Sequence, residues 1–132
     1  IGQKDKLKSR LQKIIKEVED QTKDNTGLRL NIAVSYGGKW DIVQAAQRAL
    51  QKRIAPAELT EERFASFLST EGIPDPDLVI RPGGEMRLSN FLLWQAAYAE
   101  LYFIPKYWPD FTEQDLDDAL AEYARRQRRF GQ

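Results

Sequence analysis

The stretch from Asp75 to Phe111 constrains the fold more than any other part of the sequence. It begins within a stiff turn, residues 74–77, that contains two prolines, continues into the apolar triplet Leu78–Ile80 and then enters a polar loop with two consecutive glycines. The triplet is too short for a helix, and its uninterrupted apolar character is typical of a parallel strand covered on both faces. Pro82 has no N–H group to donate to a sheet, so the strand is expected to end before it.

The second half of this stretch predicts a buried helix followed by another strand. Ser89 or Asn90 is a suitable N-cap for a helix over residues 91–98, whose side chains are apolar on nearly every face. Glu100 follows directly, and Leu101–Ile104 has the composition of a strand. A carboxylate between a buried helix and an aromatic strand is out of place unless it has a partner.

Hydrophobic spacing predicts the remaining elements. They are a helix over residues 5–24 with Asp5 as N-cap, a strand over Leu28–Tyr36, a helix over Asp41–Arg53, a small helix capped by Thr60, and a last helix that starts with the capping box Thr112 and Asp115. The order α-β-α-α-β-α-β-α predicts an α/β layered fold with a mostly parallel central sheet flanked by helices. Three strands are few for such a fold. We therefore expect residues 1–132 to form a single α/β unit that holds only the C-terminal part of the sheet.

Composition narrows the chemistry. The 132 residues include 20 Lys plus Arg and 20 Asp plus Glu, so no overall field exists that would steer nucleic acid. Histidine and cysteine are absent, which leaves carboxylates, Arg, Ser and Tyr for any reaction and is compatible with a cytosolic protein. The chain starts at Ile1 without a methionine, which suggests a piece of something longer.

Arg81, Arg87 and Ser89 are expected to meet where a strand ends and a helix begins. Two guanidinium groups, a hydroxyl and free helix N-terminal amides would bind a diphosphate. The alternative is that Arg81 pairs with Glu85 or Asp77, and that Ser89 is only an N-cap. Both interpretations are open on spacing alone.

Three further features carry weaker predictions. Gly37–Gly38 follows a predicted strand, and it either admits a phosphate to the backbone or, as we favour, only lets the next helix pack closely. Glu100 alone is only a weak indication of a metal site, although its carboxylate oxygens suit Mg²⁺. Four of residues 125–129 are Arg, which is more than a helix dipole requires at a C-terminus.

Two segments carry a family resemblance. Residues 77–111, DLVIRPGGEMRLSNFLLWQAAYAELYFIPKYWPDF, and residues 30–42, LNIAVSYGGKWDI, resemble the cis-prenyltransferase family of the bacterial undecaprenyl diphosphate synthase type. The similarity covers essentially the whole chain, including Arg129-Phe130-Gly131. It implies Mg²⁺-dependent condensation of isopentenyl diphosphate with farnesyl diphosphate, which yields a long-chain diphosphate with new cis double bonds.

The resemblance also assigns roles to residues. Those implied to bind isopentenyl diphosphate are Arg81, Arg87, Ser89 and the backbone at Leu88, with Glu85 lining the site. Glu100 resembles the Mg²⁺ ligand, and Arg129 and Gly131 resemble a motif that reaches across a homodimer to the neighbouring site. The implied location is cytoplasmic, with peripheral contact at the inner membrane face for product release.

The sequence departs from the family pattern at three points. Pro82 replaces a Thr and Met86 replaces a His or Gln, but neither Arg is lost. The His-Gly-Asp/Asn-Gly-Asn-Arg-Arg motif, whose Asp is essential in the family, cannot occur in a chain without His. We therefore expect the C-terminal half of the enzyme, inactive without its N-terminal half. The alternatives are a non-catalytic accessory subunit that lends Arg129 and Gly131 to a partner, and a generic phosphate-binding module.

Overall fold

The computed structural model describes residues 1–126, which divide into an N-terminal unit, Ile1–Gly72, and a C-terminal unit that starts at Ile73. The described elements are the helices α1 (Ser9–Thr22), α2 (Gly38–Gln51), α3 (Glu61–Ala65) and α4 (Glu113–Arg125), and the strands β1 (Leu78–Pro82) and β2 (Glu100–Ile104). The strands are parallel, so the α/β class predicted from the sequence is confirmed. The single unit over residues 1–132 stays a prediction.

In the N-terminal unit, α2 and α3 pack around a small core that includes Ala45, Ala49, Phe67 and Leu68. Asp41, in the first turn of α2, is buried, and it accepts hydrogen bonds from the Tyr36 hydroxyl at 3.0 Å and from the Ser69 N–H at 2.9 Å. These two bonds connect the start of α2 to Tyr36, just before the helix, and to Ser69, which follows α3.

The start of α1 differs from the prediction. Asp5 lies in a separate 3₁₀ turn, Lys4–Lys6, and is not the N-cap. The backbone of Leu7 and Lys8 is extended, which interrupts the helical hydrogen bonds, and α1 begins after Lys8 without a side-chain cap. The cap on α3 is as predicted, since the Thr60 side chain accepts from the Arg63 N–H.

The strand predicted over Leu28–Tyr36 is wrong for the described structure. No strand is assigned within these residues, and the alternate apolar side chains Leu28, Leu30 and Ile32 are 95%, 76% and 63% exposed. The segment bonds instead to Ile1, whose amine donates to the Ile32 carbonyl at 2.8 Å and whose carbonyl accepts from the Val34 N–H at 3.0 Å. An extended segment becomes a sheet strand only when a neighbour pairs with it, and along residues 28–31 the described chain provides none.

In the C-terminal unit, β1 and β2 pair in the register Leu78↔Glu100 to Pro82↔Ile104. β1 extends to Pro82, two residues beyond the prediction, because a proline is tolerated at the end of an edge strand. The residues of β1 are only half-buried, so the expectation of a strand covered on both faces is wrong.

The helix predicted over residues 91–98 is replaced by turns. Ser89, Asn90 and Leu92 have positive φ angles of 48°, 65° and 44°, and such angles interrupt a right-handed helix. A helix that is apolar on every face is stable only when every face is covered, and Phe91 and Tyr98 remain exposed here.

At the other end of the C-terminal unit, α4 begins with the predicted capping box. The Thr112 side chain accepts from the Asp115 N–H, and Asp115 accepts from the Thr112 N–H at 2.9 Å. Lys106 donates to the other oxygen of Asp115 at 2.6 Å, which connects the segment after β2 to the start of α4. Within residues 1–126, no helix is long and apolar enough to cross a membrane.

Candidate functional site

The loop after β1 folds back on itself because two glycines accept positive φ angles. Gly83 and Gly84 have φ angles of 107° and 75°, which side-chain-bearing residues rarely adopt. Their N–H groups donate to the carbonyls of Lys106 at 2.7 Å and Ile104 at 3.1 Å, so the base of the loop is anchored to the end of β2 and to the segment after it. The loop thereby returns residues 85–89 to the carboxyl end of β1.

Arg81, near the end of β1, is the centre of the side-chain contacts with this loop. Its Nη1 donates to the Ser89 hydroxyl at 2.8 Å and to the backbone carbonyl of Arg87. Its Nη2 donates to Oε2 of Glu85 at 2.8 Å. The structure thus brings Arg81, Arg87 and Ser89 together, as the sequence predicted.

Glu85 joins the two guanidinium groups. Its second oxygen, Oε1, accepts from Nη2 of Arg87, so the carboxylate bridges both arginines. The Arg81 side chain is 25% exposed and that of Arg87 is 65% exposed, which leaves Arg87 the more accessible cation. The pairing of Arg81 with Glu85, one of the two interpretations that the sequence left open, is therefore present alongside the cluster.

Ser89 does not cap a helix, because its own φ angle is positive and turns follow it. Its hydroxyl instead accepts from Arg81. Because no helix starts here, the free helix N-terminal amides expected at this site are absent from the described structure. The backbone of Leu88 takes part in a turn instead, in which its carbonyl accepts from the Phe91 N–H at 3.1 Å. The cationic and hydroxyl groups of the predicted site are in place, but its helix terminus is wrong.

Glu100, the candidate metal ligand, is paired with a cation. Nη1 of Arg126 donates to Oε2 of Glu100 at 2.8 Å and to the Leu101 carbonyl at 3.1 Å. The hydrogen bond that Arg126 donates to Glu100 is the main reason why the pKa of Arg126 is raised above its ordinary value. Arg126 is thus the partner that the position of Glu100 demanded, and sequence analysis missed it, although the excess of Arg at residues 125–129 pointed to that region.

The described residues do not fit a magnesium ion by themselves. Within residues 1–126, no group of three or more His, Cys, Asp or Glu side chains could hold a metal. The Oε2 atom of Glu100 is already bound to a guanidinium. The nearby Glu122 is paired with Arg125 and Arg126.

An open groove of about 760 Å³ lies between the loop, β2 and the end of α4. Met86 lines it from the loop, Tyr102 and Phe103 from β2, and Glu122 and Arg126 from α4. Met86 and Arg126 thus line one groove, with Arg126 also bound to Glu100. Arg129 and Gly131, predicted to act across a dimer, lie outside the described residues.

Comparison with known proteins identifies the family. The sequence profile of the family described as "Putative undecaprenyl diphosphate synthase" matches residues 1–131, almost the entire chain. The chain belongs to this prenyltransferase family. A curated family relative, the ditrans,polycis-undecaprenyl-diphosphate synthase of Legionella pneumophila (strain Paris), is 50% identical over 135 residues, covering 99% of this chain and 57% of the relative. An isoprenyl transferase of Neisseria meningitidis serogroup A is also 50% identical, over 99% of this chain and 52% of its own length.

Solved structures of prenyltransferases are similar in fold. Lavandulyl diphosphate synthase from Lavandula x intermedia, solved in complex with dimethylallyl diphosphate, superposes with a TM-score of 0.94 at 44% identity, over 100% of this chain and 58% of that one. A probable undecaprenyl diphosphate synthase from Campylobacter jejuni gives a TM-score of 0.89 at 37% identity, over 100% of this chain and 61% of that one. The chain spans about half the length of the curated relatives it matches.

Proposed function

We propose that this prenyltransferase chain binds isopentenyl diphosphate in a Mg²⁺-dependent cis-prenyl transfer to farnesyl diphosphate, which yields an undecaprenyl-type product. The observation that carries the proposal is the cluster that Arg81, at the carboxyl end of β1, forms with Arg87 and Ser89 of the loop that follows. The names of the relatives support the reaction class, and the dimethylallyl diphosphate bound by the lavandulyl enzyme supports a diphosphate ligand.

The cluster has enough donors to hold a diphosphate. Hydrogen bonds between guanidinium groups and anionic oxygens contribute about 1.5–3 kcal/mol each. Three or four of them would give roughly micromolar binding after the entropy cost of association. The exposure of the Arg87 side chain, 65%, leaves its remaining N–H groups accessible to a ligand.

In the proposed reaction, the residues of this chain position one substrate. With its diphosphate held by Arg81 and Arg87, isopentenyl diphosphate directs its double bond at the allylic carbon of farnesyl diphosphate. A carbon–carbon bond forms, the allylic carbon–oxygen bond breaks with loss of diphosphate, and a proton leaves to create the new double bond. Fixing the two reactants in this geometry is proximity catalysis.

Activity is proposed to need the N-terminal half that the resemblance implies. The relatives are almost twice as long as the matched region, and the exposed apolar row Leu28, Leu30 and Ile32 suits burial by a further strand. Mg²⁺ is proposed to bind only when that half supplies additional ligands, with Glu100 released from Arg126. A homodimer completed by Arg129 and Gly131, and a cytoplasmic enzyme that contacts the inner membrane face, are further parts of the proposal.

Two measurements test the proposal. Calorimetric titration with isopentenyl diphosphate is expected to show binding that Arg87→Ala weakens and Arg63→Ala, an exposed arginine on α3, does not change. Equal binding by both variants would refute the assignment of the site. The chain mixed with Mg²⁺, farnesyl diphosphate and labelled isopentenyl diphosphate is expected to form no elongated product. Elongation would refute the need for the N-terminal half.

A further inference from the structure

The proposed diphosphate site already contains an anion, the side chain of Glu85. Both guanidinium groups expected to bind the substrate donate to this one carboxylate, Arg81 to Oε2 at 2.8 Å and Arg87 to Oε1. The diphosphate is proposed to bind in the same way, with separate anionic oxygens that accept from the two guanidinium groups. A diphosphate cannot use the same N–H groups while Glu85 occupies them.

We propose that Glu85 is an intramolecular placeholder, which holds Arg81 and Arg87 together in the free protein and competes with the incoming diphosphate for them. This inference rests on the proposed function and adds to it a device that tunes the affinity and selectivity of the same site. It differs from a role in which Glu85 simply lines the site, because a placeholder lowers the affinity for substrate.

The loop has the construction that a displaceable carboxylate needs. Gly83 and Gly84 are anchored by their N–H groups to the last residue of β2 and to the segment after it, whereas residues 85–88 that follow belong to no helix or strand. The Glu85 side chain is 48% exposed, so a displaced carboxylate can be hydrated in place of its ion pairs. Displacement therefore requires a side-chain movement and leaves the strand pairing intact.

The loop also retains other bonds when Glu85 leaves. Arg81 still donates to the Ser89 hydroxyl and to the backbone carbonyl of Arg87. These two bonds keep the loop backbone at Arg87 beside Arg81, so Glu85 is not needed as the sole connection between the two residues. Removal of its charge should consequently affect ligand binding more than folding.

A placeholder also selects among anions. A ligand must offer at least two anionic oxygens that reach both guanidinium groups, because it replaces a carboxylate that already does so. Pyrophosphate meets this condition better than a simple monoanion, for which the exchange gains nothing. Glu85 would therefore favour diphosphate esters over chloride, which has one acceptor atom, and over acetate, which only repeats the bonds of the carboxylate it displaces.

The test is a calorimetric titration of the chain with inorganic pyrophosphate. Glu85→Gln keeps the shape of the side chain and removes its charge, and we expect it to bind pyrophosphate about five-fold tighter than the wild type, the combined effect of losing two partly exposed ion pairs. Glu71→Gln, an exposed glutamate in the N-terminal unit, is the matched control and should bind like the wild type. The difference should shrink as salt is added, because exposed charges are screened.

The outcomes separate the two proposals. If Glu85→Gln binds pyrophosphate as the wild type does or more weakly, while Arg87→Ala loses binding, the placeholder is refuted and the proposed function stands. If the wild type does not bind pyrophosphate, or Arg87→Ala binds it as well as the wild type, both fail. Should circular dichroism show that Glu85→Gln is unfolded, Glu85→Ala takes its place, and tighter binding is again the supporting result.

Discussion

Replacing Arg81 should mainly lower the stability of the chain, whereas replacing Arg87 should mainly lower its affinity for pyrophosphate. Arg81 donates to a carbonyl, a hydroxyl and a carboxylate and is 25% exposed, whereas Arg87 is 65% exposed and donates from its side chain to Glu85. At about 0.5 kcal/mol for each of these three partly exposed bonds, the lower end of the usual range, Arg81→Ala should lower the free energy of unfolding by about 1.5 kcal/mol. For 132 residues this corresponds to a fall of about 4–7 °C in melting temperature.

Arg87→Ala should leave the melting temperature within about 2 °C of the wild type, because an exposed ion pair contributes little to stability. Its pyrophosphate affinity should nevertheless fall about ten- to hundred-fold, the effect of one lost charge-assisted hydrogen bond. Thermal unfolding followed by circular dichroism and calorimetric titration measure the two quantities, with Arg63→Ala as the control for loss of a surface charge. Equal destabilisation by Arg81→Ala and Arg87→Ala would refute the assignment of Arg81 as the centre of the side-chain contacts with the loop.

Three other predictions concern α4 and the metal. Thr112→Ala should lower the melting temperature by about 4 °C through loss of the N-cap, and Thr112→Ser should not; equal effects would contradict the capping role. Hydrogen bonds from Lys106 and then Thr112 lower the pKa of Asp115 from 3.8 to about 2, so its stabilisation is complete above pH 3.8 and is lost as the pH falls towards 2. Asp115→Asn should flatten the acid unfolding profile in that interval, and an unchanged profile would refute this linkage. Millimolar Mg²⁺ should leave the melting temperature unchanged, because the cation at Glu100 is Arg126; a clear rise would show that Mg²⁺ displaces it.

Elements with local sequence signals were predicted well. The Thr60 cap and the capping box of Thr112 and Asp115 depend on residues three positions apart, and both are present as predicted. The apolar runs around Val79 and Tyr102 correctly marked the two paired strands. The two caps form between residues close together in the sequence, and the two strands are marked by uninterrupted apolar residues.

Elements whose apolar side chains need burial by distant parts of the structure were predicted wrongly. Alternation at Leu28, Leu30 and Ile32 shows that a face favours burial, but it does not show that a partner is present. The same holds for the apolar segment over residues 91–98, which forms turns. The pairing of Glu100 with Arg126, 26 residues away, also has no local pattern, so the sequence could predict a partner for Glu100 but not its identity.

The parallel register of β1 and β2 determines where the chain tolerates a change in length. Val79 and Arg81 are two positions apart on β1 and point to one face, with Leu101 and Phe103 as their partners on β2. One residue inserted before Arg81 in the strand would turn its guanidinium to the opposite face, away from Glu85 and Ser89. One residue added within the turns at 91–98 alters neither this alternation nor the pairing. A scan of single-residue insertions across positions 78–99 should therefore show a sharp boundary, with loss of diphosphate binding confined to the strand and the loop that returns to it.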